Sequence, residues 1–508
     1  MELEFDRDTM ICYKTVAEVT LCQEETLESI VPDACPDILR IVDVCGQAYL
    51  GTKQAKDGMA SVTGMVRAAI LYQPEGASGL RRMEVSLPFT CQVEAPELTE
   101  QGIVLASPRL RSAEARALNP RKVLLRVDLA VDVTASQPVE HPICQGVLEE
   151  EKNALCQKQF HGDDYQLISV QEKPFTFTEE IRLPSGQGEA PQVLACRAQP
   201  LCTECKLIGS KLIFKGVAEV YFLLQEPEGG LSSAHESLPF SQIMEISGSG
   251  EEGDCQVWVE LTDLQYELDS GDGRSLEITL ELLAQSHVRC RRSVTLLQDL
   301  YSTKWQTDVD SQLLPLCRMG EQGVRPQTVR ELIETGEMVR GVADSRLSLG
   351  QLTQSREGEQ LVLTTEAWIT ILYLDDHELV QRVQRTIPIS CRLDCPSGYQ
   401  CSCVCRSTGE VFATPSAGGV EVRFSVEFQY LTTSCTPMAF VENARLGDAR
   451  SNGEGKRPSI VLRLAVPGEG VWEIAKAYGT TVEQILKANE LEEEALPDGK
   501  MLLIPSSR

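Results

Sequence analysis

The chain has 508 residues, enough for three to five domains at about 100–200 residues each. An apolar fraction of 42% excludes wholesale disorder, and aromatics at 5% predict cores of Val, Leu, Ile and Ala. A formal charge of −28 without a separate basic patch excludes a phosphate-backbone partner, so no nucleic-acid binding is expected.

The N-terminus, MELEFDRDTM, is acidic and lacks the apolar segment of a secretory signal. No run of 18 apolar residues follows, so no transmembrane segment is expected and the chain is expected to stay in the cytoplasm. Nineteen cysteines are many for that compartment; the default there is free thiols, many of them buried as small hydrophobes.

Three segments then repeat one pattern of strand, turn, strand and an apolar–Pro–apolar–Ser/Thr motif. They begin at Val62, Phe214 and Leu363. The motif prolines Pro88, Pro239 and Pro388 lie 151 and 149 residues apart (239 − 88 and 388 − 239). A period near 150 residues is one domain per repeat. Glu75-Gly76, Gly229-Gly230 and Asp375-Asp376 are the predicted hairpin turns. About 30 residues after each proline comes an alternating run: Val123–Val133, Leu276–Ala284 and Val420–Tyr430. Alternation means one buried and one wet face. Upstream, IVPDACPDIL (Ile30–Leu39) is echoed at Arg182–Leu194.

The fold class predicted is mainly β: three related antiparallel sandwich-like modules and a small C-terminal βααβ domain. The modules are placed at 1–160, 161–305 and 306–445, a flexible linker at 446–459 and the last domain at 460–508. Polar stretches at Gln306–Pro326 and Asn443–Ser459 read as linkers.

In the last domain the first strand is Ile460–Val466, a helix follows from Val471 to Tyr478, and Met501–Ile504 closes the sheet. Gly479 suits a left-handed helix end. Thr480 is predicted to cap the second helix, with Glu483 completing a capping box. Val466, Gly468, Trp472, Ile474, Ala475, Tyr478, Gly479, Val482, Ile485, Leu486, Asn489, Gly499, Leu503, Ile504 and Pro505 match the pattern of a LysM domain, which the segment closely resembles. In glycan-binding LysM domains the loops before the first helix and after the second form the lips of the sugar groove. The family pattern Gly-Asp-Ser/Thr-Leu is here Gly468-Glu469-Gly470-Val471, and Gly470 has no side chain to cap the helix. Glu490, Glu492, Glu493 and Glu494 make the other lip acidic.

A C-terminal LysM behind modules with VPDACPDIL and LPF(S/T)-type motifs resembles the SPOCS–LysM, SipL-like spore coat morphogenetic family of spore-forming Firmicutes. The resemblance implies a non-enzymatic coat-assembly scaffold at the forespore surface in the mother cell. It also implies a LysM that docks onto the coat's basement-layer morphogenetic ATPase. The binding residues implied are Gly468, Glu469, Gly470, Val471, Trp472, Asn489, Glu490 and Leu491. Other coat proteins and a second copy of the chain are further expected partners. Peptidoglycan or cortex is the alternative ligand. Trp472 reads equally as a partner anchor or as core.

Chemistry of other kinds finds little support. No Gly-x4-Gly-Lys-Ser/Thr, His-Glu-x-x-His or Gly-x-Ser-x-Gly occurs, and the five histidines are isolated. No catalytic residue and no cofactor is predicted. Cys202 and Cys205 form a CxxC, Cys391 and Cys395 follow, and Cys401, Cys403 and Cys405 alternate, but no second CxxC stands at zinc-site spacing. No metal site is predicted.

Overall fold

The computed structural model describes residues 2–148, 154–183, 191–246, 253–268, 275–450, 460–466, 469–491 and 501–505. It is almost entirely antiparallel β. The first group of strands is β1 (Phe5–Ile30), β2 (Ile38–Lys56), β3 (Met59–Pro74), β4 (Arg81–Glu94), β5 (Ile103–Asn119) and β6 (Lys122–Val147). They form two sheets, β1-β6-β5 and β2-β3-β4. A second group repeats this with β7 (Leu155–Arg182), β8 (Gln192–Ile208), β9 (Lys211–Gln225), β10 (Leu231–Glu245), β11 (Gly253–Leu268) and β12 (Ser275–Ser302). Its sheets are β7-β12-β11 and β8-β9-β10.

A third group has β13 (Trp305–Glu334), β14 (Gly341–Leu349), β15 (Thr353–Glu357), β16 (Gln360–Leu374), β17 (Val380–Asp394), β18 (Gln400–Ser416) and β19 (Gly419–Ala449). Here β13-β19-β18 is one sheet, and β16 pairs with β14, β15 and β17 in the other. Two shorter strands thus stand where the other modules use one. The three alternating runs seen in sequence are the central strands β6, β12 and β19. Each module packs its own core between its two sheets, built from Val, Leu, Ile and Phe. In β4 the alternation is strict, with Met83, Val85, Leu87, Phe89, Cys91 and Val93 inward.

The repeated proline has a backbone reason. Pro88, Pro239 and Pro388 sit on β4, β10 and β17, each at the edge of its sheet. A residue without an N–H is tolerated there and not in a central strand. The next residue inward also repeats. Phe89 lies opposite Gly64 and Phe240 opposite Gly216. A Cβ on Gly64 would meet the Phe89 ring at 2.2 Å, and one on Gly216 would meet the Phe240 ring at 2.4 Å. The ring fills the space left by the missing side chain. In the third module the pair is Thr365 and Ile389, changed together.

Two polar stretches read as linkers are strand. Gln306–Pro326 lies inside β13, and 443–449 continue β19; residues 451–459 lie outside the described set. Strand β13 has a largely exposed side-chain pattern, so its composition looks like loop while its backbone pairs with β19 along its length, interrupted by irregularities at Trp305/Thr307, Asp310/Ser311 and Met319/Gln322. One cysteine pair also departs from the free-thiol expectation. Cys317 on β13 lies directly opposite Cys435 on β19, and the two form a disulfide; the other 17 cysteines carry thiols outside any disulfide.

The modules meet around a pseudo-threefold junction. Strands β2, β8 and β14 each carry a bulge at one register, after which Asp43 pairs with Leu71, Ala195 with Leu223 and Asp344 with Leu372. Leu71, Leu223 and Leu372 cluster with the bulge residues Val42, Leu194 and Ala343. Two residues on stand Cys45, Arg197 and Arg346. Arg197 donates to Asp344 at 3.0 and 3.2 Å, and Arg346 to Asp43. The third side of the ring is apolar, because Cys45 and Ala195 replace the ion pair and pack in the same cluster. Asp43 is 1% exposed and is also reached by Arg382 at 3.2 Å.

Candidate functional site

The C-terminal domain is β20 (Ile460–Leu464), α1 (Val471–Tyr478), α2 (Val482–Ala488) and β21 (Met501–Pro505). Strands β20 and β21 pair antiparallel, and both helices pack on one face around Val471, Ile474, Ala475, Ile485, Leu502 and Ile504. Helix α1 starts at Gly470, which makes no side-chain cap, and ends at Gly479 with φ 64° and ψ 37°. The second cap lies one residue later than predicted. Thr481 is the N-cap: its Oγ1 accepts from Gln484 N at 3.2 Å while Gln484 Oε1 accepts from Thr481 N at 3.4 Å. Thr480 is fully buried and its hydroxyl donates to Gln484 Oε1 at 2.7 Å, so it supports the box from outside.

The predicted lip residues have distinct environments. Glu469 pairs with Arg463 at 2.7 Å. Val471 is buried, and Glu490 is exposed in a left-handed conformation with φ 51°. Asn489 is a staple: Nδ2 donates to the Ile485 and Leu503 carbonyls and Oδ1 accepts from Leu503 N, all at 2.7 Å. Its amide is spent on joining α2 to β21. Leu491 packs at the rim of the small core. Gly468, Gly499 and Glu492–Glu494 lie outside the described residues.

Trp472 is 6% exposed, covered by the second module. Its indole N–H donates to Asp299 Oδ2 at 2.8 Å, and its ring meets Tyr301 edge-on at 4.9 Å. Lys476 Nζ reaches both Asp299 oxygens at 2.7 and 2.8 Å. Tyr301 donates to the Thr480 carbonyl at 2.8 Å, and Arg450 donates to the Lys476 carbonyl at 3.3 Å. Burial pushes the Tyr301 phenol well above its ordinary range. The end of β12 is therefore the seat of the C-terminal domain. Nothing in the sequence marks Asp299 and Tyr301 for this; they follow a bulge in β12 at Leu297/Asp299.

The family model described as SipL, SPOCS domain matches residues 37–118 and 189–269, and the LysM domain model matches residues 466–505. The chain is a SPOCS plus LysM protein. No curated protein matches it. The SPOCS matches span β2–β5 and β8–β11, the sheet with the edge proline and the strand after it. SPOCS and LysM are non-catalytic binding-domain families, and together they describe a sporulation-related, LysM-containing protein. No helix among the described residues is long and apolar enough to cross a membrane.

The cysteines of the β modules are mainly packing. Cys403 and Cys405 on β18 are buried in the third core, with Cys401 beside them. Burial pushes the Cys401 and Cys405 thiols up to about 12. Cys202 and Cys205 fall on one face because β8 bulges between Cys202 and Glu204, and Cys255 of β11 joins them. Cys205 Sγ donates to the Cys255 carbonyl at 3.1 Å and Cys202 Sγ to the Glu204 carbonyl at 3.6 Å. No group of three His, Cys, Asp or Glu placed to hold a metal occurs among the described residues.

Proposed function

We propose that this protein is a non-enzymatic scaffold of spore coat assembly whose LysM domain docks onto a basement-layer morphogenetic ATPase at the forespore surface. The three modules offer a rigid body, and further coat proteins or second copies bind along them. The observation that carries the reading is the two-sided character of the LysM domain. One side is fixed to β12 through Trp472 and Lys476. The opposite face of β20-β21 is apolar and open: Leu462 is 66% exposed, Leu464 58% and Met501 63%. An open apolar face of this kind suits a protein surface.

Glycan binding rests on polar groups that fix sugar hydroxyls. Here the Asn489 amide is consumed internally and the Trp472 ring is covered, which favours a protein partner over peptidoglycan. The lip residues Gly468–Trp472 and Asn489–Leu491 remain the proposed border of the contact. Deleting residues 460–508 is expected to abolish both partner pull-down from sporulating cells and forespore localisation. Retention of both would count against the proposal. Sedimentation with purified muropeptides separates the alternative, since tight binding there would favour a cortex ligand.

A further inference from the structure

A cavity of about 770 Å³ opens beside the pseudo-threefold junction, lined chiefly by β2 and β5, β8 and β11, and β14 and β18, with further residues from β1, β6, β12, β16 and β17. Each module contributes the same two strands. Three register-equivalent residues face it: Arg109, Glu260 and Arg406. Each pairs with the residue seven positions beyond Val123, Leu276 and Val420, namely Ala130, Leu283 and Glu427.

The lining is cationic in a chain whose net charge is −28. Seven arginines line it against three acids, Glu18, Asp132 and Glu260. Most of the arginines are spent. Arg109 is paired with Asp132, Arg111 with Asp128, Arg197 with Asp344, and Arg346 and Arg382 with Asp43. Arg289 and Arg406 are different. Among the described residues neither side chain makes an ion pair or a hydrogen bond; the Arg406 guanidinium lies over the Trp258 ring at 5.9 Å. Trp258 also meets His287 edge-on at 4.9 Å, and His287 is two residues from Arg289 on β12. Arg406 thus lies against the aromatic pair, and Arg289 is on the same face of β12 as His287, both lining the cavity. Burial holds both below the ordinary arginine range, against attraction from Glu260 on Arg406 and from Tyr165, Glu18 and Asp254 on Arg289. Both side chains are half-buried and line the cavity.

We propose that this cavity binds a small multivalent oxyanion, a polycarboxylate or polyphosphate, held between Arg289 and Arg406. Guanidinium forks suit the paired oxygens of carboxylate and phosphate. The volume lies within the range of small-molecule sites. All three modules close around the ligand, so its binding stabilises the whole body.

The test uses the full chain, with inorganic pyrophosphate and citrate as separate probes in calorimetry and thermal unfolding. At least one probe is expected to bind saturably and raise the melting temperature. The probe that binds reports whether phosphate or carboxylate is preferred. The R289Q/R406Q variant is expected to bind tenfold or more weakly, and to melt no lower than the parent without ligand, because no ion pair or side-chain hydrogen bond of the described residues is lost. A flat response of the parent to both probes overturns the proposal. Equal binding by parent and variant does the same, since it places the anion elsewhere. A variant that unfolds on its own is replaced by the single change R406K, which keeps the charge but removes the fork; unchanged affinity there also contradicts the assignment.

Discussion

Asp299 concentrates the LysM contact in one carboxylate, which accepts from both Trp472 and Lys476. Hydrogen bonds to a charged group contribute about 1.5–3 kcal/mol each. Asp299→Ala is expected to speed amide exchange in α1 tenfold or more by hydrogen-exchange mass spectrometry, with β12 unaffected. At the junction, burial pushes Glu260 up to about 7, against attraction to Arg406 and Arg109. A carboxyl whose folded pKa is raised binds its proton more tightly in the folded state. Its stabilising contribution is present below the unfolded pKa, near 4.3, and is lost as pH rises toward 7. Glu260→Gln is therefore expected to raise the melting temperature at pH 8, with the gain vanishing by pH 5. Neither role is legible in the sequence. Asp299 is one acid among 75 Asp and Glu residues, and Glu260 gains meaning only when the registers of β5, β11 and β18 are superposed.

Strands were legible where one face is buried and the other wet. The runs at Val123, Leu276 and Val420 announce β6, β12 and β19, and the proline phase announces the edge strands β4, β10 and β17. Strand β13 was not legible, because most of its side chains face solvent and alternation needs a buried face to select it. The helix cap at Thr481 was missed by one residue because Thr480 and Thr481 both offer a hydroxyl and only burial distinguishes them. The Gly–Phe pair is the element-scale determinant of module shape. A Cβ at Gly216 meets the Leu201 carbonyl oxygen at 2.1 Å as well as the Phe240 ring. Gly216→Ala is expected to cost about 1–3 kcal/mol in denaturant unfolding. The same change at Gly230, where nothing lies within 4 Å, is expected to be near neutral.

The whole molecule is three sandwiches locked by a ring with two ionic sides and one apolar side. Cutting the ring at Arg346 removes one of the two guanidiniums paired with Asp43, which is 1% exposed, and leaves it to Arg382 alone. Breaking one partner of a buried pair costs about 3–5 kcal/mol. Arg346→Ala is expected to split thermal unfolding into separate module transitions, readable by calorimetry, while leaving each module's β signal intact. The junction explains how modules with ordinary small cores can act as one rigid platform. It also explains why the LysM domain, seated on β12, presents a fixed outward face.

That outward face is where the scaffold account is most exposed to test. Leu462 and Leu464 both point away from the LysM core, so Leu462→Glu with Leu464→Glu alters the surface and spares the fold. The decisive measurement is quantitative co-purification of coat proteins from sporulating cells with the full chain and with this double variant. The account predicts at least a tenfold loss of the morphogenetic ATPase from the variant, with its circular dichroism unchanged. Undiminished recovery would contradict it.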